Sequence, residues 1–155
     1  MATRSHIVVK IKEEDKGKTV HFNPSLIPLA CTYPNDYLDK LQDVVLDKNY
    51  ICIYHHWDGY PDGLGRTLVG IFNDYDTILN LLLAGDASSI NGKEILQYCT
   101  FRENEEWEHT KPTLYDECPS CKENYIYLFD NGKWQFKSYS DVEWKDLESE
   151  LRREE

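Results

Sequence analysis

The segment from Tyr125 to Tyr139 constrains the fold most, because its sequence is typical of two strands joined by a tight turn. The runs YIYLF and WQFKSY flank the four residues DNGK. Asn-Gly is the preferred central pair of a type I′ turn, in which both residues need a positive φ. The resulting register places Phe129 opposite Trp134 and Tyr127 opposite Phe136, and such cross-strand pairs contribute about 0.2–1 kcal/mol each. An antiparallel hairpin is therefore predicted here.

Four further segments have the composition of strands, with β-branched or aromatic residues between polar ones. His6–Ile11 and Thr19–Phe22 flank a charged loop, which predicts a second hairpin. Asn49–Tyr54 is a short apolar run, and Glu94–Phe101 is a fourth strand candidate. The sequence therefore predicts at least six strands, most of them joined locally.

A helix is predicted after Pro34, because Asn35 and Asp36 favour a helix N-terminus. The apolar residues that follow recur at i, i+1, i+4, i+7 and i+8, which is one face of a helix. These residues are Tyr37, Leu38, Leu41, Val44 and Val45.

Two helices are also predicted over Thr67–Phe72 and Tyr75–Leu83, the second ended by Gly85. Asp86–Gly92 and Arg102–Glu123 are polar and rich in turn residues, which is typical of loops. A capping box, Ser140-x-x-Glu143, predicts a last helix. Its apolar stripe is Trp144, Leu147 and Leu151.

These elements predict an α+β fold, a mainly antiparallel sheet with helices packed on one face. The chain has 155 residues, a usual size for one domain, so a single domain over residues 1–155 is expected, with frayed ends near residues 150–155.

The formal net charge of −11 argues against binding to bulk DNA or RNA, because it repels phosphates. A local pocket for a small anion and an acidic surface that mimics nucleic acid both remain open. No apolar run reaches the roughly 18 residues of a membrane span, and the first residues do not form a secretion signal. A soluble, cytoplasmic protein without membrane contact is expected. The five cysteines have no spacing typical of secreted proteins.

The segment Tyr54–Thr67, YHHWDGYPDGLGRT, has the composition of a binding site. It predicts a strand, a glycine-rich loop and then a helix that begins near Arg66, whose first amides would be free to bind an anion. Arg66 adds a guanidinium that matches phosphate, and the rings of Trp57 and Tyr60 could stack on a base. The expected ligand-binding residues of this segment are His55, His56, Trp57, Asp58, Tyr60, Gly63, Gly65, Arg66 and Thr67.

Other readings of the same loop stay open. If the strand continues, His55 and His56 point to opposite faces, so only one of them can join the site. A metal-dependent enzyme would use His56, Asp58 and Asp62 to activate water. A purely structural corner would use Trp57 to fill the core. No resident cofactor is indicated.

Weaker candidates lie further along the chain. Arg102 and Trp107 are possible additional ligand contacts. Cys118-Pro-Ser-Cys121 is half of a zinc site, which Cys99 and His109 could complete if the fold brings them together. A labile disulfide or a plain turn are the alternatives for this motif.

The chain resembles a set of small phage and prophage proteins that share the patterns MATR-x-x-I, Y-x-H-W-D-G-Y-P-x-G and W-E-x-x-x-P and a late aromatic hairpin. It departs from them in the CPSC motif and in an extended region over Tyr33–Asn49. The residues that match the central pattern are Tyr54, His56, Trp57, Asp58, Gly59, Tyr60, Pro61 and Gly63.

The resemblance implies a phage origin and a location in the host cytoplasm, and small accessory phage proteins often act against host defence. Such a protein can sequester a nucleotide signal, cleave it, or block a host protein. Together with the predicted anion site, this favours a protein that sequesters a small nucleotide-like ligand, with a homo-oligomer expected because such pockets often lie between subunits. A metal-dependent nucleotide hydrolase and an acidic protein that binds a host partner are the alternatives.

Overall fold

A computed structural model describes residues 2–32, 37–97 and 111–153. Its helices are α1 (Tyr37–Lys40), α2 (Arg66–Ile71), α3 (Tyr75–Leu83) and α4 (Leu147–Arg153), with 3-10 turns at Glu13–Asp15 and Pro24–Leu26 and a π-helical turn at Pro61–Gly65. Its strands are β1 (Ser5–Lys10), β2 (Thr19–Val20), β3 (Ala30–Thr32), β4 (Val44–Val45), β5 (Tyr50–His55), β6 (Ala87–Ile90), β7 (Glu94–Gln97), β8 (Thr113–Tyr115), β9 (Tyr125–Asp130), β10 (Lys133–Ser138) and β11 (Lys145–Asp146).

The main sheet has the strand order β11-β10-β9-β1-β5-β6-β7-β3, and β8 also pairs with β5. Strands β1–β5, β5–β8, β6–β7, β9–β10 and β10–β11 are antiparallel neighbours. Strands β1–β9, β5–β6 and β3–β7 are parallel. The predicted α+β class is confirmed, and the sheet is mixed, with antiparallel pairs in the majority.

The predicted hairpin is confirmed in its register as well as its position. Phe129 lies opposite Trp134, and Tyr127 lies opposite Phe136. The two turn residues, Asn131 and Gly132, have φ angles of 52° and 77°, as a type I′ turn requires. The ring centroids of Phe129 and Trp134 are 5.1 Å apart in an edge-to-face arrangement.

The two faces of the sheet carry cores of different size. The first face holds the larger core, where odd-numbered residues of β1 and β5 pack against α2, α3 and α4; its members include Ile7, Val9, Ile51, Ile53, Leu68, Phe72, Ile78, Leu82 and Leu147. The second face holds a smaller cluster of Val8, Cys52, Ile126 and Leu128, with Tyr50, Tyr115, Cys118, Cys121 and Trp144 packed against it. Helices α2 to α4 therefore pack on the first face, as predicted.

The second predicted hairpin is wrong. Strand β2 pairs with β4 in a separate two-stranded sheet, with Thr19 opposite Val45. Strand β1 instead lies between β5 and β9, because its apolar residues pair there with longer apolar strands.

The long helix predicted after Pro34 is also wrong. Helix α1 ends at Lys40, and Val44 and Val45 form β4. Valine is stiff at χ1 and favours strands, which outweighs the helical spacing of these residues. Tyr33–Asp36, including the predicted helix start, lie outside the described residues.

Three further boundaries differ from the predictions. The predicted loops at Asp86–Gly92 and Arg102–Glu123 contain β6 and β8. The last helix begins at Leu147 instead of Ser140, because Asp146 caps it by accepting the amide of Ser149 at 2.9 Å. Trp144 consequently lies outside this helix and packs on the second face. None of the helices in the described ranges has the length and hydropathy of a membrane span.

Candidate functional site

The loop that follows β5 is tied to the neighbouring strands by its backbone. Asp58 takes a positive φ of 58° and turns the chain. The amide of Gly59 donates to the carbonyl of Thr3 at 2.8 Å. The carbonyl of Gly59 accepts the buried hydroxyl of Tyr127 at 2.6 Å. The loop is therefore held in one position against β1 and β9.

The predicted anion site at the start of α2 is wrong in its mechanism. Helical geometry begins at Pro61, five residues before Arg66, so the amides near Arg66 are already paired. Because these amides are satisfied by carbonyls of the same loop, they are not available to a phosphate. The carbonyl of Tyr60 accepts the amides of Gly63 at 3.0 Å and Gly65 at 3.4 Å. The carbonyl of Asp58 accepts the amide of Leu64 at 3.0 Å. The amide of Arg66 donates to the carbonyls of Gly63 and Pro61.

The remaining residues of this turn serve packing or local pairing. A Cβ atom on Gly63 would lie 2.7 Å from the carbonyl oxygen of Asp58, and one on Gly65 would lie 3.1 Å from Leu147. Thr67 is buried. The guanidinium of Arg66 forms an ion pair with Asp62 one helical turn earlier.

The structure separates the roles of the paired histidines. His55 is fully buried on the first face. Its Nε2 accepts the amide of Ile90 at 3.0 Å, and its Nδ1 lies 3.4 Å from the hydroxyl of Ser5. Burial, assisted by the nearby His56, lowers the pKa of His55 to about 3. His55 thus joins β5, β6 and β1 as a neutral core residue and does not reach the surface.

His56 instead belongs to a row of rings on the second face, which we call the aromatic patch: His6, Tyr54, His56 and Trp57. The hydroxyl of Tyr54 lies 2.7 Å from Nδ1 of His56. The His56 ring meets Trp57 edge-on, with 4.7 Å between centroids. The ring of His6 lies 5.7 Å from that of Tyr54. Trp57 is 45% exposed, so the patch ends in an accessible indole.

Charged side chains of both signs lie near His6 at this end of the patch. Burial lowers the pKa of His6, Glu123 opposes this effect, and Lys122 adds to it. His6 is therefore mainly neutral near pH 7, and it has one negative and one positive neighbour, Glu123 and Lys122, of which Glu123 acts on it more strongly. Tyr60, in the loop beyond Trp57, is 40% exposed.

Asp86 lies beside the patch and was missed by the sequence analysis. Its carboxylate accepts the amide of Tyr54 at 2.9 Å. Burial raises the pKa of Asp86 to about 7, and the hydrogen bond from Tyr54 opposes the rise. No sequence signal identified Asp86, because its proximity to Tyr54 depends on the pairing of β5 with β6, which are separated by two helices.

The weaker candidates are only partly placed. Arg102, Trp107, Cys99 and His109 lie outside the described residues. Cys118 and Cys121 are partly buried on the second face, and burial raises the pKa of both thiols, that of Cys118 to about 11. Within residues 2–32, 37–97 and 111–153, no three or more His, Cys, Asp or Glu side chains are grouped to hold a metal ion.

Comparisons of this chain with models of protein families, with curated proteins and with solved structures find no match. The resemblance to phage proteins stays a prediction.

Proposed function

We propose that this protein binds a small nucleotide-like ligand on the aromatic patch and holds it unchanged, as a phage protein that sequesters a host signal would. The observation that carries the proposal is the exposed indole of Trp57, which His56 holds edge-on. His56 is in turn held by the hydroxyl of Tyr54. A ring that is accessible yet already oriented can stack on a base with little further loss of entropy.

Side chains, not backbone amides, recognise the charge of the ligand. The amides from Gly63 to Arg66 are paired with carbonyls of the same turn, so a phosphate gains nothing from them. Lys122 lies close enough to His6 to affect its pKa and is therefore near the patch, as is Glu123, whose opposite effect on that pKa is larger. In this proposal Lys122 pairs with the phosphate of a small ligand, whereas the formal charge of −11 on the whole chain disfavours bulk nucleic acid.

Binding without turnover fits the positions of the residues considered for catalysis. Asp62 is engaged by Arg66, and His55 lies in the core. Asp58 occupies a turn position with a positive φ, and its carbonyl accepts the amide of Leu64. His56, Asp58 and Asp62 thus have separate local roles in the loop, which favours a binding surface over a hydrolytic centre.

A thermal-shift screen against linear and cyclic nucleotides, with and without Mg²⁺, tests the proposal. A ligand at 100 times its Kd stabilises the native protein by about 2.7 kcal/mol, which raises the Tm measurably. We expect a shift with at least one nucleotide, which is then recovered intact. Recovery of a degraded compound would indicate an enzyme instead.

Two variants locate the binding surface. Trp57→Ala is expected to lose the shift, because base stacking contributes about 1–3 kcal/mol per base. Tyr139→Ala is the matched control, since Tyr139 is 75% exposed and lies in the turn after β10. If a nucleotide still raises the Tm of Trp57→Ala, its binding site lies elsewhere. If no nucleotide raises the Tm of the native protein, the proposal is contradicted.

A further inference from the structure

Strand β5 has two different neighbours along one of its edges, and they leave a fork between them. Strand β8 pairs with β5 as far as Cys52, and β6 pairs with it from His55. In the fork, the amide of Tyr54 donates to the carboxylate of Asp86 instead of to a strand. In the fork, the carboxylate of Asp86 therefore accepts the amide of Tyr54 in place of a backbone carbonyl from a neighbouring strand.

The carboxylate of Asp86 lies on the second face, next to the aromatic patch. Burial and then the charge of Asp86 raise the pKa of Cys52. Burial, then Cys52, then Asp86 raise the pKa of Tyr115. Cys52 and Tyr115 belong to the cluster on that face. Since side chains alternate along a strand, Tyr54 and His56 project to the same side as Cys52.

Asp86 has acceptor capacity that the protein does not use. An ionised carboxylate offers about four lone-pair positions. Among the residues that the structure describes, its only hydrogen bond comes from the amide of Tyr54. Asp86 as a residue is partly exposed, between the buried Gly85 and Ala87.

Resting on the proposed function, we infer that Asp86 gives the aromatic patch a preference for bases with two adjacent N–H donors, the arrangement found on guanine. The ring N–H and exocyclic amine of guanine can both donate to one carboxylate. Adenine presents a ring nitrogen acceptor beside its amine, and a carboxylate repels that lone pair. The amide of Tyr54 contacts Asp86, and the ring of Tyr54 is joined through His56 to the indole of Trp57, so we place one nucleotide across Asp86 and the indole.

Titration of Asp86 provides an independent signature of this role. Because its pKa is raised to about 7, the ionised fraction grows as the pH rises through neutrality. Guanine binding should strengthen over the same range. Cys52 and Tyr115, which face Asp86, have raised pKa values and His6 a lowered one, so these groups stay neutral there. His56 is common to the native protein and to the variants.

Calorimetric titration with GMP and AMP at about pH 8 tests the inference. We expect the native protein to bind GMP more tightly than AMP by about tenfold or more, as hydrogen bonds to a charged group allow. Asp86→Asn keeps an oxygen for the amide of Tyr54 but is expected to lose this preference and its pH dependence. Asp116→Asn, at an exposed carboxylate just after β8, is the matched control and should retain both.

The outcomes separate this inference from the proposed function. Equal affinities for GMP and AMP, both lost in Trp57→Ala, would overturn the role of Asp86 and leave the patch as the binding site. A preference for GMP that survives in Asp86→Asn would do the same. If neither nucleotide binds while another nucleotide of the screen does, the guanine preference is wrong. If none of them binds, the proposed function fails as well.

Discussion

At the scale of single residues, Gly59 shows most directly how the loop after β5 depends on close packing. A Cβ atom at this position would lie 2.6 Å from the hydroxyl of Ser5 and 2.8 Å from the carbonyl of Thr3. We expect Gly59→Ala to lower the free energy of unfolding by about 1–3 kcal/mol, because a backbone carbonyl cannot move aside easily. Urea denaturation measures this change.

The control for this substitution is Gly70→Ala in α2. A Cβ atom on Gly70 would meet no heavy atom within 4 Å. Alanine is a better helix former than glycine by roughly 0.5–1 kcal/mol, so this variant should be as stable as the native protein or more stable. Equal effects of the two substitutions would contradict the close packing of Gly59 against β1.

The candidate site could be predicted from sequence only where the chemistry is local. Trp57 and His56 were identified because an aromatic and histidine-rich loop is unusual in itself. The free amides near Arg66 were predicted wrongly, since a helical turn that starts at Pro61 has no clear signal in a segment with three glycines. Asp86 reaches Tyr54 only through the pairing of distant strands, which single-residue reasoning does not detect.

At the scale of elements, the start of α4 distinguishes two capping signals in the same segment. The carboxylate of Asp146 accepts the amide and the hydroxyl of Ser149 at 2.9 and 2.6 Å. We expect Asp146→Ala to destabilise the protein by about 1 kcal/mol, the usual cost of losing an N-cap. Ser140→Ala, at the residue that the sequence favoured as the cap, should change the stability much less. Chemical denaturation of both variants decides between the two starts, and a larger loss for Ser140→Ala would contradict the cap at Asp146.

Elements were predicted well where all local sequence features favour the same structure, and poorly where those features favour different structures. The turn at Asn131-Gly132 determines the register of β9 and β10, because few other residue pairs accept two positive φ angles. Val44 and Val45 carry a helical spacing together with a preference for strands, and pairing with β2 decided between them. A spacing rule therefore fails where a tertiary partner is available.

At the scale of the whole molecule, the fold class was predictable but the strand order was not. Strand β1 lies between β5 and β9, and Ser5 pairs with both His55 and Tyr125. These partners are far apart in the sequence, and local patterns contain no information about which distant strands meet. The fork between β8 and β6, and with it the position of Asp86, follows from that order.

The same order buries two titratable groups whose pKa values move in opposite directions. Asp86 has a pKa of about 7 against an ordinary value of 3.8, so the folded protein holds an extra proton between about pH 4 and pH 7. The free energy of unfolding therefore falls as the pH rises through this window. His55 has a pKa of about 3 against 6.5, so the unfolded chain binds the extra proton and the free energy of unfolding rises between about pH 3 and pH 6.5.

Replacing Asp86 by asparagine isolates one of these contributions. We expect Asp86→Asn to match the native protein in stability near pH 4 and to become increasingly more stable than it up to about pH 7, by on the order of a few kcal/mol. The contribution of His55 is common to both proteins and cancels in the difference. Urea denaturation at about pH 4, 6 and 8 measures it. If the difference in unfolding free energy between the two proteins does not change with pH, Asp86 ionises normally in the fold. Its carboxylate would then be charged at every pH used to measure ligand binding.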